Sequence, residues 1–305
     1  MAEEYKSVHT GPDIDAAVTR ALPGGGIDQA LNAKPNPNLL DNAYFGNPVN
    51  QRGQTEYTGA GYGIDCWKMA SGVTNAVTVE NDGLKVTFNS AAYLVQIIKN
   101  PAVFSGKTVT ISALCGDIGN GLQIRIRANG SFVCNVSCVT NGVANTTVTL
   151  PDNLTAMQFE FGSASTAGYS VKIKAAKMEL GTEQTLAHQE NGKWVLNEIP
   201  NHDEELAKCQ RYQFVCKTDM VGVVVFRNSA GGGGGALFTL PSQLRAAPAF
   251  TGVMKAGDIT GAVADANVVA VQYRDNGVYI YAESANHATA VTFTALAGAI
   301  FDANL

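Results

Sequence analysis

Residues 122–128 read LQIRIRA: Leu122, Ile124 and Ile126 alternate with Gln123, Arg125 and Arg127. A period of two is the pattern of a β-strand with one face in a core and the other in water. The alternation recurs on both sides. It places Leu84, Val86 and Phe88 on one face of GLKVTF (83–88), and Met157, Phe159 and Phe161 on one face of MQFEFG (157–162). KTVTISAL (107–114) and YSVKIKA (169–175) repeat it, and the turn clusters ENDG (80–83), GDIGNG (116–121) and RANGS (127–131) divide the runs. Eight or nine short strands between Leu39 and Leu180 predict two antiparallel sheets packed face to face, a β-sandwich or jelly roll in an all-β chain.

Further along, VGVVVF (221–226), ALFTL (236–240), NVVAVQY (267–273), GVYIYAE (277–283) and ATAVTFTAL (288–296) are again strand-like and more continuously apolar. That suits a C-terminal β knob built on a fully buried sheet, or on one covered by another copy of the chain. At the other end, GPDIDAAVTRAL (11–22) puts Ile14, Ala17, Val18 and Ala21 on one helical face, with Pro12 and Asp13 at its start and PGGG after it. So short a helix is marginal alone and predicts docking on a partner or on copies of itself. NAKPNPN (32–38) is a linker by composition. The expected organisation is an N-terminal attachment arm at 1–38, the sandwich at 39–182, a joint at 183–216 and the knob at 217–305.

The joint, LAHQENGKWVLNEIPNHDEELAKCQRYQF (186–214), reads as polar linker and then helix. It gathers His188, His202, three carboxylates and Cys209, but helix chemistry explains the acids. Asn201 stands at the helix start, Asp203, Glu204 and Glu205 fill the first turn, and Glu204 precedes Lys208 by four. No metal site and no acid–base centre is expected there.

Composition removes several function classes. The chain has 305 residues, 46% hydrophobic and 15% charged, with a net charge of −5 and no basic run, which disfavours nucleic acid as a partner. No apolar run reaches the roughly twenty residues of a membrane span, and the first residues lack a signal-peptide pattern, so synthesis in a cytoplasm is expected. The six cysteines form no CxxC pair and are expected as small buried or half-buried hydrophobes without cofactor or metal. Four Asn-x-Ser/Thr matches follow from a chain rich in these residues at its turns. No nucleophile elbow, zinc motif or phosphate loop occurs, so no enzyme is expected.

Two surfaces stand out for binding. GGGGG (231–235) reads as an exposed loop tip in which Gly232, Gly233 and Gly234 let a backbone approach a ligand. Tyr57, Tyr62, Trp67 and Tyr93 are aromatics suited to stacking on sugars or to packing a core, with Trp67 and Tyr93 the ligand candidates.

Four stretches carry a family resemblance. NLLDNAYFGNPVNQRGQTEYTGAGYGIDCWKM (38–69) resembles the opening of a module in tail and fibre proteins of bacteriophages and prophages of gut Firmicutes. KMELGTEQTLAHQENGKWVLNEIPNHDEELAKCQRYQF (177–214) and LPSQLRAAPAFTG (240–252) resemble the segment joining that module to a C-terminal knob, and VHTGPDIDAAV (8–18) is similar to the start of such proteins. The chain departs from the pattern at Cys66, where Arg is expected, and at Gln213, where an aromatic is expected. The resemblance implies a virion-surface fibre or adhesin, a homotrimer attached to other virion proteins by its N-terminal arm through residues such as Ile14 and Val18, and binding a host-cell glycan. A decoration or assembly protein without a receptor, or a polysaccharide depolymerase, are the alternatives.

Overall fold

The computed structural model describes residues 36–72, 74–118, 122–163, 167–228, 233–258, 262–274, 277–284 and 290–303. The expected arm helix with Ile14 and Val18 lies outside these residues, as does Gly232.

Two six-stranded antiparallel sheets face one another. The first runs β1 (Glu56–Thr58), β4 (Ala76–Glu80), β5 (Gly83–Phe88), β12 (Tyr169–Leu180), β7 (Thr108–Cys115) and β10 (Gly142–Thr149). The second runs β2 (Gly61–Tyr62), β3 (Lys68–Met69), β6 (Ala92–Ile97), β11 (Met157–Ser163), β8 (Gln123–Ala128) and β9 (Ser131–Ser137). The strands beyond the expected eight or nine include β1 to β3, which are two or three residues long. Such runs are too short to show a period.

Alternation does what the sequence predicts. Leu84, Val86 and Phe88 of the first sheet meet Ile124, Ile126, Phe159 and Phe161 of the second in one buried core. Trp67 sits among its aromatics, with ring centroids 5.3 Å from Phe45, 5.8 Å from Phe161 and 6.0 Å from Phe159. Its indole N–H donates to the Asn42 carbonyl at 2.9 Å, so its polar atom is satisfied inside.

The joint holds a hairpin that the sequence reading took for linker: β13 (Ala187–Glu190) and β14 (Lys193–Leu196), turned by Asn191 and Gly192 at φ 50° and 75°. Both central residues in the left-handed region is the signature of a two-residue primed turn. Helix α1 (His202–Gln210) follows, and the Asn201 side chain accepts the Asp203 N–H at 2.9 Å, as an N-cap should. The expected Glu204–Lys208 pair gives way to Glu205–Lys208 at 2.6 Å. Glu205 is the acid turned to the sandwich, where its carboxylate accepts the buried Asn42 N–H at 2.6 Å.

Beyond the helix, β15 (Gln213–Val215), β23 (Ile300–Asp302) and β18 (Ala249–Thr251) form a small sheet. It sits beside a closed barrel ordered β16 (Met220–Asn228), β17 (Gly233–Phe238), β21 (Gly277–Ser284), β20 (Val263–Arg274), β19 (Met254–Asp258) and β22 (Ala290–Ala295). Closure explains the apolar composition, because six strands enclose a narrow interior filled by alternating small and large side chains. Ala236, Ala256, Ala282 and Ala295 share it with Phe238, Met254, Ile280 and Phe293, all buried. The expected covering by a second copy is therefore not needed to bury these strands. Among the described residues, no helix is long and apolar enough to cross a membrane.

Both bodies are stitched to the joint. Gln51 of the sandwich donates to the Gln213 carbonyl at 2.8 Å, Arg245 N–H donates to the Arg211 carbonyl at 2.9 Å, and Ala303 N–H to the Tyr212 carbonyl at 2.7 Å. All six cysteines are free, and Cys66 of the sandwich lies 3.4 Å, sulfur to sulfur, from Cys209 of α1.

Candidate functional site

The outer face of the second sheet carries a compact charged and aromatic cluster. In β8, core-facing Ile124 and Ile126 turn Arg125 and Arg127 outward, and antiparallel register sets Glu160 of β11 directly opposite Arg125. Glu160 accepts from both arginines. Arg125 donates its Nε to one carboxylate oxygen, and Arg127 donates its Nε to the other at 3.1 Å. The Arg125 and Glu160 side chains are 6% and 3% exposed, so this pair has lost its water and depends on its own geometry.

Two rings close on Arg125. Its guanidinium carbon lies 3.4 Å from the Tyr93 ring centroid and 3.7 Å from that of Phe132, while the Arg127 guanidinium carbon lies 4.2 Å from the same Phe132 centroid. Cations over ring faces are attracted by the ring quadrupole, more so when desolvated. Tyr93, on β6, reaches across β11 because its register partner there is Gly162, where a Cβ would come 3.1 Å from the Tyr93 ring and 2.2 Å from the Ala92 carbonyl oxygen. Phe132 reaches the face by a β-bulge. Ile126 opposes Cys134 but Arg127 opposes Phe132, so Val133 is the extra residue. Val133, Cys134 and Val136 pack on the core, and the ring of Phe132 is left on the outside, 49% exposed.

The cluster is not internally satisfied. Arg125 Nη2 and the Tyr93 hydroxyl are buried and have no hydrogen-bond partner. Burial pushes the Tyr93 phenol above its usual range, against the opposing pull of Arg125. Two guanidiniums against one carboxylate leave one positive charge on this face. At the surface stands a half-exposed ring, and directly beneath it lie a cationic donor and a hydroxyl that no protein atom satisfies.

Of the residues singled out in the sequence, Tyr93 is the one placed here. Trp67 is 0% exposed and belongs to the core, which removes it as a ligand contact. The glycine run is corrected too. Gly233, Gly234 and Gly235 lie inside strand β17, paired with β16 and β21 on either side, so their amides and carbonyls serve the barrel ladder instead of a free tip. A Cβ on Gly235 would come 1.7 Å from the Tyr279 hydroxyl, so this glycine is there for close packing. Tyr57 and Tyr62 line a separate cleft of about 350 Å³ with Arg52. There, Arg52 donates to the Gly63 carbonyl at 2.8 Å and Tyr57 bonds Asn50. In the joint, His188 Nδ1 is 2.5 Å from the Asn197 amide oxygen, and no group of three His, Cys, Asp or Glu gathers for a metal among the described residues. A cavity of about 400 Å³ lies between sandwich and joint, bordered by Lys177, Thr185, Glu205 and Lys208, each already bonded to protein partners.

Sequence reasoning missed Arg125, Arg127, Glu160 and Phe132 as a group. A signal existed for the first two: paired arginines on the polar face of one strand in a chain with 15% charged residues.

No protein-family model matches the chain, and no curated protein matches it in sequence. Among solved structures it is similar to the xylan-binding module CBM15 at 15% identity, over 43% of this chain and 100% of that one, with a TM-score of 0.31. It is similar to the tandem CBM22 modules of Xyn10C from Paenibacillus barcinonensis at 13% identity, over 88% and 98% of the two chains, with a TM-score of 0.32. A third is the enzymatically active domain of tailspike protein 4 of bacteriophage CBA120, at 16% identity over 47% of this chain and 21% of that one, with a TM-score of 0.28. What the charged and aromatic face can bind follows from its own chemistry.

Proposed function

We propose that the chain is a non-enzymatic glycan-binding protein of the virion-fibre type, attached to the particle by its N-terminal arm and exposed on the virion surface as a homotrimer. The observation that carries glycan binding is the outer face of the second sheet, where the half-exposed Phe132 ring stands beside the unpartnered Arg125 Nη2 and Tyr93 hydroxyl. Aromatic faces stack on the apolar faces of sugar rings, and a few placed polar groups then fix orientation. The fibre context is supported by the sequence resemblance at 38–69, 177–214 and 240–252. Three copies on one fibre would raise a weak single-site affinity by avidity.

A glycan array probed with the full chain tests the binding. A defined set of glycans retained by the wild type and released by Phe132→Ala supports it, and an array with no signal overturns it. Light scattering tests the assembly: a stable monomer of 32.0 kDa would remove the trimer. Release of reducing ends from purified cell-wall polysaccharide would instead identify a depolymerase.

A further inference from the structure

We propose that this face selects acidic glycans, seating a sugar-borne carboxylate or phosphate on Arg125, an inference that rests on the glycan-binding reading and narrows it. Glu160 meets each arginine at Nε only, so a single carboxylate is divided between two cations. Arg125 is left with a buried Nη2 that no protein atom accepts. A buried guanidinium N–H without an acceptor is costly, and the fork of donors on that group matches an oxyanion in geometry as well as in charge. A neutral sugar would supply a hydroxyl oxygen but leave the surplus positive charge unanswered. Phe132 lies at the rim, 49% exposed, and the Tyr93 hydroxyl is a second unpartnered group inside.

The rest of the molecule sharpens the claim. A chain of net charge −5 repels polyanions in general, so retention of one requires a local site. Carboxylate and phosphate present the same chemistry to Arg125, and the probes separate them.

The experiment is affinity electrophoresis of the full chain through polygalacturonate and its methyl ester, and through phosphorylated mannan and plain mannan. The expected result is retention by an acidic polymer at least about tenfold stronger than by its neutral counterpart. Whichever acidic polymer retains the chain identifies the source of the oxyanion. Retention should fall about tenfold in Phe132→Ala and in the double variant Arg125→Gln with Glu160→Gln. The double variant removes the ion pair together, because Arg125→Gln alone would strand a buried carboxylate. Phe132 is exposed, so its replacement keeps the test open if the double variant does not fold. Equal retention by acidic and neutral polymers, lost in Phe132→Ala, would overturn acid selection and leave the glycan reading intact. Retention by none of the four would overturn acid selection, and the glycan array then decides the glycan reading separately. Acidic retention that persists in both variants would place the binding elsewhere and refute this assignment.

Discussion

Glu205→Ala should loosen the joint from the sandwich, and the structure sets the size of the effect. The Glu205 side chain is 11% exposed and accepts the buried Asn42 N–H at 2.6 Å. A charge-assisted hydrogen bond to a buried backbone amide contributes about 1.5–3 kcal/mol, and its loss leaves that amide without a partner. The second partner, Lys208, is 49% exposed at 2.6 Å, so solvent screening holds its share to about 0.3–0.5 kcal/mol. One effect opposes these: Glu205 helps to push the Asp41 carboxyl up, and removing it relieves Asp41. The net cost is about 2 kcal/mol, a fall in melting temperature of roughly 5 °C. Urea and thermal unfolding followed through Trp67 and Trp194 would measure it, with Glu204→Ala as the control, because Glu204 has neither contact. A loss below about 0.5 kcal/mol for Glu205→Ala, or an equal loss for Glu204→Ala, would refute the assignment of the anchor to Glu205.

Three further outcomes are expected. Burial, and then Glu205, raise the Asp41 pKa above its ordinary 3.8, so the folded state holds this proton more readily than the unfolded chain. Its penalty is therefore full at neutral pH and vanishes below 3.8. Asp41→Asn should stabilise the protein at pH 7 and have no such effect near pH 3.5, as a pair of melting curves would show. Gly235→Ala should destabilise the barrel by about 1–3 kcal/mol, since the new Cβ meets the Tyr279 ring carbon Cζ at 2.3 Å. Tyr279→Phe should restore part of that loss, and a neutral Gly235→Ala would mean the barrel is looser than described. Diamide should take two hydrogens from Cys66 and Cys209, whose sulfurs are 3.4 Å apart, and join sandwich to joint by a disulfide. Peptide mapping would detect the link, which should be absent in Cys209→Ser; Cys66 or Cys209 joined to any other cysteine would contradict the geometry.

The sandwich was legible because its strands are long enough to show a period. LQIRIRA, GLKVTF and MQFEFG each commit three apolar residues to one face, and one residue of slip would reverse every one of them. Helix α1 was legible through Asn201 and the acids after it, since capping is a local affair. The hairpin of the joint was written in Asn191-Gly192 and was passed over because its flanking strands, AHQE and KWVL, are four residues each and too short to show an alternation.

What local pattern could not supply was any relation between strands. Plain alternation in FVCNV (132–136) groups Phe132 with Cys134 and Val136, on the core side. The bulge at Val133 reverses that and sends Phe132 out to Arg125 and Arg127. A bulge is a property of two paired strands, so neither strand's sequence announces it. Glu160 reads from its own strand as one more outward polar residue; only the register of β11 against β8 makes it the shared partner of two arginines. Gly233, Gly234 and Gly235 misled for the same reason. Glycine alone signals a backbone free to move, and it was barrel closure, with strands on both sides and Tyr279 packed against Gly235, that made these three part of a wall.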